Sequence, residues 1–559
     1  MRSFRPEGPT GVRYDGYWRT TALAVAGVLL GAPVAAQPVT LQLVTPPLEP
    51  LPSPAPAPVA SEPGPIAPGD HSSLALDGFP MAGWHNGLFF LRDRNDHFRL
   101  YVQARMNVDA YTYFGPGVAP SSLKPTIVLR RIRPELGGEL FKHWNWMLAG
   151  DFGTTALDNP KGANELAASS AGVAPTATSG KFAPVQAPAV KAGPTDVWVN
   201  FHANDVFNLM IGQYNGPFTM ENRTSEKYGN FMERSIVSRD LGIPANKEIG
   251  LMAWGELESR HLGYQIGAFL GDGQNRPNVD AGLDGIGRVF VHPFASLPGQ
   301  LKDLQVGGSF RYGRRDPSSV AYDVAGMTTQ GNFQFWGPTY AGDKGLTHVI
   351  PAGGQLGAGA ELRVPVDRFD LQSEIVYVNN GTREAVDGFQ TTNAERFGAL
   401  SGYSYYVQLA VWAMGKRNIN GLPGYEIPPT LDFSRTDPDD PPHALQILVK
   451  WEQLAVKYAG ASRSGTPGVK KLDGDIKANV FSLGANYWFT KHLRLSVNYV
   501  VDMFPGAKAV KPAIAGDAKQ DAKQRAIGPA QTLNPGQDDH AHDGAGVLHE
   551  LLFRTAVGF

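Results

Sequence analysis

The stretch Glu550-Leu551-Leu552-Phe553-Arg554-Thr555-Ala556-Val557-Gly558-Phe559 sorts its side chains onto two faces. Leu551, Phe553, Thr555, Val557 and Phe559 fall on one side, and Glu550, Leu552, Arg554, Ala556 and Gly558 on the other. A period of two with one apolar face is a half-exposed β-strand. The same rule holds much earlier, where Phe98, Leu100, Val102, Ala104, Met106, Val108 and Ala110 alternate with Arg99, Tyr101, Gln103, Arg105, Asn107, Asp109 and Tyr111. A tilted strand needs only about ten residues to cross a bilayer. The apolar face is therefore expected to meet lipid.

Between these two stretches the pattern recurs, giving sixteen candidate strands near 98–114, 126–141, 144–153, 194–203, 206–213, 247–257, 263–270, 285–293, 304–314, 355–365, 369–379, 402–415, 442–454, 476–490, 492–503 and 547–559. Connections after odd-numbered candidates are mostly long: 154–193, 214–246, 315–354, 380–401 and 504–546. Those after even-numbered ones are mostly short, as at Lys142-His143, Asn204-Asp205 and Thr490-Lys491-His492. Short turns on one side and long loops on the other describe an all-β, 16-stranded antiparallel transmembrane β-barrel over 98–559. Only 416–441 breaks the rhythm, being long on the short side. Trp144, Trp146, Tyr487 and Trp488 flank short turns, where an interfacial aromatic girdle is expected.

Composition agrees. The 559 residues are 42% hydrophobic, and mean hydropathy is −0.22. No apolar run is long enough for a transmembrane helix, whereas a strand barrel keeps average hydropathy low because half its residues face water. Gly at 65 and Pro at 44 favour turns over long helices. The chain has no cysteine, which removes disulfides and thiolate chemistry.

The N-terminus reads as an export signal over 1–36. Arg2, Arg5, Arg13 and Arg19 precede the apolar stretch 21–30, and small residues lead to cleavage after Ala36. Losing that segment takes the formal charge from −2 to about −4, which argues against nucleic acid as a partner. Residues 37–97 are expected to be a Pro-rich periplasmic linker, because Pro52-Ser53-Pro54-Ala55-Pro56-Ala57-Pro58 cannot pack a core.

Ending on an aromatic strand resembles the C-terminal signature recognised by the assembly machinery of Gram-negative outer membranes, with Phe559 as the contact. The chain also resembles the phosphate-selective porin O/P family. The resemblance rests on Leu209-Met210-Ile211-Gly212-Gln213-Tyr214, Pro217-Phe218, Thr224-Ser225-Glu226-Lys227, Glu233-Arg234-Ser235, Ile249-Gly250, Gly263-Tyr264-Gln265-Ile266-Gly267 and Gly287-Arg288. Leu129-Arg130-Arg131-Ile132-Arg133-Pro134-Glu135-Leu136-Gly137-Gly138 and Ser482-Leu483-Gly484-Ala485-Asn486-Tyr487-Trp488 extend it. It implies a homotrimer in the outer membrane, with the third long loop, 214–246, folded into the lumen. It also implies an arginine ladder and basic loop residues that bind phosphate-like anions. Arg105, Arg130 and Arg131 match ladder positions, Lys227 matches a loop position, and Arg223 lies one residue from another.

Strict alternation places Arg131 and Arg133 on the lumen face with Glu135, and Arg130 outward at the rim unless a bulge turns it in. Arg234 joins them from the loop as a pore-lining candidate. Guanidinium groups suit this task because they replace lost phosphate hydration with charge-assisted, often bidentate hydrogen bonds. Arg105 and Arg131 are expected near the extracellular ends of adjacent strands. The expected function is passive diffusion of small hydrophilic solutes, favouring anions such as phosphate. Within the third loop, however, Arg223, Lys227, Arg234 and Arg239 balance Glu221, Glu226, Glu233 and Asp240. That balance keeps a non-selective or cation-tolerant pore as an alternative, beside a structural or adhesive barrel. No enzyme, cofactor or metal site is expected. Ser121-Ser122-Leu123-Lys124 lacks its companion motifs, and Asp539-His540-Ala541-His542-Asp543 reads as solvated loop.

Overall fold

The computed structural model describes residues 81–85, 88–114, 125–153, 193–243, 246–257, 260–316, 322–336, 339–342, 345–386, 396–415, 443–462, 472–505, 508–509, 532–533 and 546–558. The expected signal peptide, most of the linker, the loop over 154–192, the two motifs at 121–124 and 539–543, and Phe559 lie outside these residues.

The alternating segments fold as expected. Strands β1 (Ala82–His85) and β2 (Leu88–Arg92) make a hairpin. The wall then runs through β3 (Phe98–Phe114), β4 (Thr126–Leu140), β5 (Trp144–Asp151), β6 (Gly193–Asn204) and β7 (Phe207–Asn215). It continues in β8 (Lys247–Leu257), β9 (Leu262–Phe269), β10 (Asp284–Val291) and β11 (Gln305–Arg315). Short strands β12 (Met327–Thr328), β13 (Gln334–Trp336) and β14 (Thr339–Gly342) follow. Then come β15 (Gly345–Val366), β16 (Phe369–Val386), β17 (Arg396–Met414), β18 (Ala444–Ser462), β19 (Leu472–Thr490) and β20 (Leu493–Met503). A parallel pair, β21 (Lys508–Ala509) and β22 (Thr532–Leu533), precedes the last strand, β23 (Val547–Gly558).

Each of β3–β11, β15–β20 and β23 pairs antiparallel with its neighbours, and β23 returns to β3 from His549↔Phe114 to Gly558↔Arg105. The result is a closed 16-stranded antiparallel barrel. Closure satisfies every strand edge, a condition for β-structure in lipid. Sidedness is inverted relative to a water-soluble barrel. On β18, Lys450 and Glu452 are fully buried, whereas Ile447, Val449 and Trp451 are exposed at 42, 40 and 38%. Such an arrangement is stable only if the apolar outside is solvated by hydrocarbon.

Three local readings need correction. Residues 82–92 are strand where linker was expected. β2 pairs β3 from Phe89↔Val102 to Arg92↔Arg99, filling the edge below the end of β23. Its outward Phe89 and Leu91 and inward Phe90, packed on Tyr101, continue the alternation of the wall. Trp488 is not part of a girdle. It is buried against Trp412 at 5.2 Å, while its neighbours Tyr487 and Phe489 pack against His443. Strands β15–β19 also run 18–22 residues, far past the stretch with one apolar face. Strand pairing persists there after lipid has stopped enforcing alternation. The 416–442 connection, outside the described residues, does lie on the short-turn side, so its length reflects no misplaced strand.

Candidate solute-binding site

The basic side chains singled out by the sequence gather where β3 and β4 meet the segment 216–246. Arg105 and Arg133 are direct cross-strand partners, and Asn107 pairs with Arg131. The register then jumps to Val108↔Leu129, leaving Arg130 as the extra residue of a β-bulge. The bulge turns Arg130 inward, and its Nε donates to Glu233 at 3.2 Å. Arg105 and Arg131 therefore sit at mid-strand, not near the extracellular ends.

Residues 216–246 are organised by their own caps. Ser225 opens a 3-10 turn over Glu226–Tyr228, and Ser235 opens helix α1 (Ile236–Asp240). Ser235 N–H in turn donates to Glu221. Asn222 Nδ2 donates to Gly216 O and Asn246 O, which ties the two ends together. Arg223 Nη1 donates to Asn215 O at 2.6 Å, a scaffold contact.

The segment is held by opposite chemistries on two sides. At β3 and β4 its carboxylates meet cations: Glu226 pairs with Arg131 at 2.8 Å, Arg133 at 3.2 Å and its own neighbour Arg234 at 3.0 Å. Arg105 lies 3.7 Å from Glu226 and 3.9 Å from Glu135. Lys227 Nζ donates to Glu135 at 2.5 Å and Gln103 at 3.2 Å. Glu233 accepts from Arg131 at 3.0 Å and Arg554 at 2.7 Å. Farther around the wall the polarity reverses, and wall carboxylates accept segment N–H groups. Glu374 accepts from Met220 and Glu221 at 2.7 and 2.8 Å, and Glu452 accepts from Ile236 at 2.7 Å. Thr219 N–H donates to Ser309 Oγ on β11, eight strands from β3 around the ring.

Burial pushes the Glu226 and Glu233 carboxyls up, but the surrounding guanidiniums win and hold both well below the usual carboxylate range. Both stay ionised at neutral pH and neutralise much of the ladder. All seven predicted residues thus come together or support the segment, each with a partner inside the protein.

Sequence reasoning missed three arginines. Arg554 of β23 pairs with Asp109 at 2.6 Å, and Arg494 Nη1 donates to Gly229 O at 2.9 Å. Arg311, buried on β11, lies over the Phe218 ring at 5.8 Å and makes no hydrogen bond or ion pair with the described residues. Each stands alone on a polar face, and only its place in an alternating strand marks it.

A closed barrel with an apolar exterior and an ion-laced polar interior is an outer-membrane diffusion channel, here of the Gram-negative outer membrane. The chain belongs to the phosphate-selective porin O and P family, whose family model matches residues 124–503. Among solved structures it is similar to OmpT of Vibrio cholerae, with 9% identity, a TM-score of 0.44, and coverage of 84% of this chain and 100% of that one. It is similar also to the anion-selective porin from Comamonas acidovorans, with 9% identity, a TM-score of 0.41, and coverage of 83 and 100%. For the DcaP channel of Acinetobacter baumannii the values are 8%, 0.40, and 84 and 99%. No curated protein sequence matches the chain.

Proposed function

We propose that the channel passes small hydrophilic solutes by passive diffusion and favours anions such as phosphate, with 216–246 lying across the lumen as its constriction. The reach of that segment carries the reading: it bonds Gln103 on β3 and Ser309 on β11, half the ring apart. A polar strap between distant walls narrows the water path. Where it meets β3, β4 and β23, guanidiniums outnumber carboxylates, which favours a passing anion. Binding is multi-site and already shared with internal carboxylates, so an anion is held weakly and can leave.

One observation favours a second reading. Among the described residues, buried arginines and lysines are matched by an equal number of buried aspartates and glutamates. That balance suits a non-selective pore. Single-channel recording in a salt gradient separates the two: a reversal potential on the anion side at low salt supports the first, and a value at zero supports the second. Export by residues 1–36, recognition of Phe559 by the assembly machinery, and a homotrimer complete the proposal. N-terminal sequencing, removal of Phe559 and cross-linking check these in turn.

A further inference from the structure

Residues 327–331 form a turn that touches α1 on one side and four barrel strands on the other. Arg239 Nε donates to Thr328 O at 2.8 Å, and Thr328 N–H donates to Asp240 Oδ1 at 3.1 Å. Thr329 Oγ1 and Gly331 N–H donate to the two oxygens of Glu550 on β23. Tyr113 Oη on β3 donates to Gly331 O at 2.6 Å. Gln330 Nε2 donates to Glu452 on β18 at 3.2 Å and Ser482 on β19 at 2.9 Å. Glu452 also receives the Ile236 N–H, so one carboxylate holds both the turn and the first turn of α1.

The charges around this junction do not balance. Asp240, Glu452, Asp502 and Glu550 crowd it, and all are buried. Among the described residues, Arg239, 3.5 Å from Asp240, and Lys450, 3.1 Å from Glu452, oppose them. Asp240 Oδ2 and Asp502 Oδ2 have no hydrogen-bond partner among the described residues. Four ionised carboxyls in so little water would repel one another and lack solvation.

We propose that residues 327–331 are a proton-held clasp, which ties α1 to β3, β18, β19 and β23 while Asp240, facing the buried carboxyls of Glu452, Asp502 and Glu550, carries a proton, and which lets go when that proton leaves. Burial, offset only in part by Arg239, lifts the Asp240 carboxyl to about 7. Its raised value means the clasp is tightest at low pH and loosens as pH rises toward 7. If 216–246 is the constriction, as proposed above, releasing α1 widens the channel.

The experiment is amide exchange on the full-length protein in lipid nanodiscs, followed at Thr328 and Gly331 between pH 5 and 8, beside unitary conductance in planar bilayers. Exchange corrected for its intrinsic pH dependence should accelerate about tenfold per pH unit for each proton lost, up to about pH 7. Asp240→Asn, whose Oδ1 can still accept from Thr328 N–H, should flatten that dependence. Corrected exchange that stays constant with pH, or an Asp240→Asn profile equal to wild type, overturns the clasp. Exchange that rises while conductance stays constant upholds the clasp and instead overturns 216–246 as the constriction.

Discussion

Asp109 on β3 and Arg554 on β23 face each other across the closing seam at 2.6 Å, although 445 residues separate them in the chain. The pair is buried on both sides, and Arg554 Nη2 also reaches Glu233 at 2.7 Å. One guanidinium thus joins the last strand, the first barrel strand and the segment 216–246. Closure of the barrel and seating of that segment are one electrostatic event.

Removing one partner of this pair leaves the other charge buried and unmatched. Arg554→Gln or Asp109→Asn should each destabilise the folded barrel by about 3–5 kcal/mol. The double variant should lose clearly less than the sum, because neither charge is then stranded. Urea unfolding in detergent micelles, followed by loss of heat-modifiable mobility, reads the difference. Additive losses would mean that the two residues act independently.

The carboxylates of the segment set how much positive field reaches the pore. Glu226→Gln with Glu233→Gln frees Arg131 and Arg133 from their pairs and should move the reversal potential toward anions and strengthen phosphate block of chloride current. Replacing Arg105 and Arg131 with Ala should do the reverse. Both effects should shrink at 1 M salt, where screening acts over about 3 Å. An unchanged reversal potential at low salt in both variants would make these residues purely structural.

Acid should act on the same pairs. Glu226 and Glu233 are held below their ordinary values, so their contribution is complete above about pH 4.5 and is lost as pH falls. Asp240 has the opposite sign, losing its contribution as pH rises toward about 7. Amides in 226–234 should therefore exchange faster, after correction, below pH 4, whereas those near 328 exchange faster above pH 6. A single common pH profile for both regions would contradict this separation.

Arg311 is a third case, a buried cation with no hydrogen bond or ion pair among the described residues. Arg311→Gln should leave stability unchanged or higher, since no partner is stranded. It should weaken phosphate block by about tenfold, roughly one charge-assisted hydrogen bond. Unaltered block would take Arg311 off the solute path.

Most of the wall was legible because lipid enforces a rule on every second residue. All sixteen candidates became strands, including weakly marked ones such as β10. The rule fails where lipid is absent. In the outer halves of β18 and β19 the outward positions Lys457, Asp475 and Lys477 are charged, so the length of these strands was invisible, and hairpin 82–92 was masked by the proline-rich stretch before it. Arg130 shows the limit of strict alternation: one extra residue opposite Asn107 and Val108 reverses its face. The candidate basic residues were found, but their partners were not. Pairing of Glu233 with Arg554, or Glu452 with Ile236, depends on how a loop crosses between distant strands, and no local pattern encodes that.

The most direct measurement compares unitary conductance of the wild-type channel with a variant lacking 218–240, both first shown to be folded. The account predicts discrete conductance steps for each, larger in the deletion, with the wild-type reversal potential on the anion side at low salt. Steps of equal size would contradict a constriction formed by this segment, and absence of steps would contradict the channel itself.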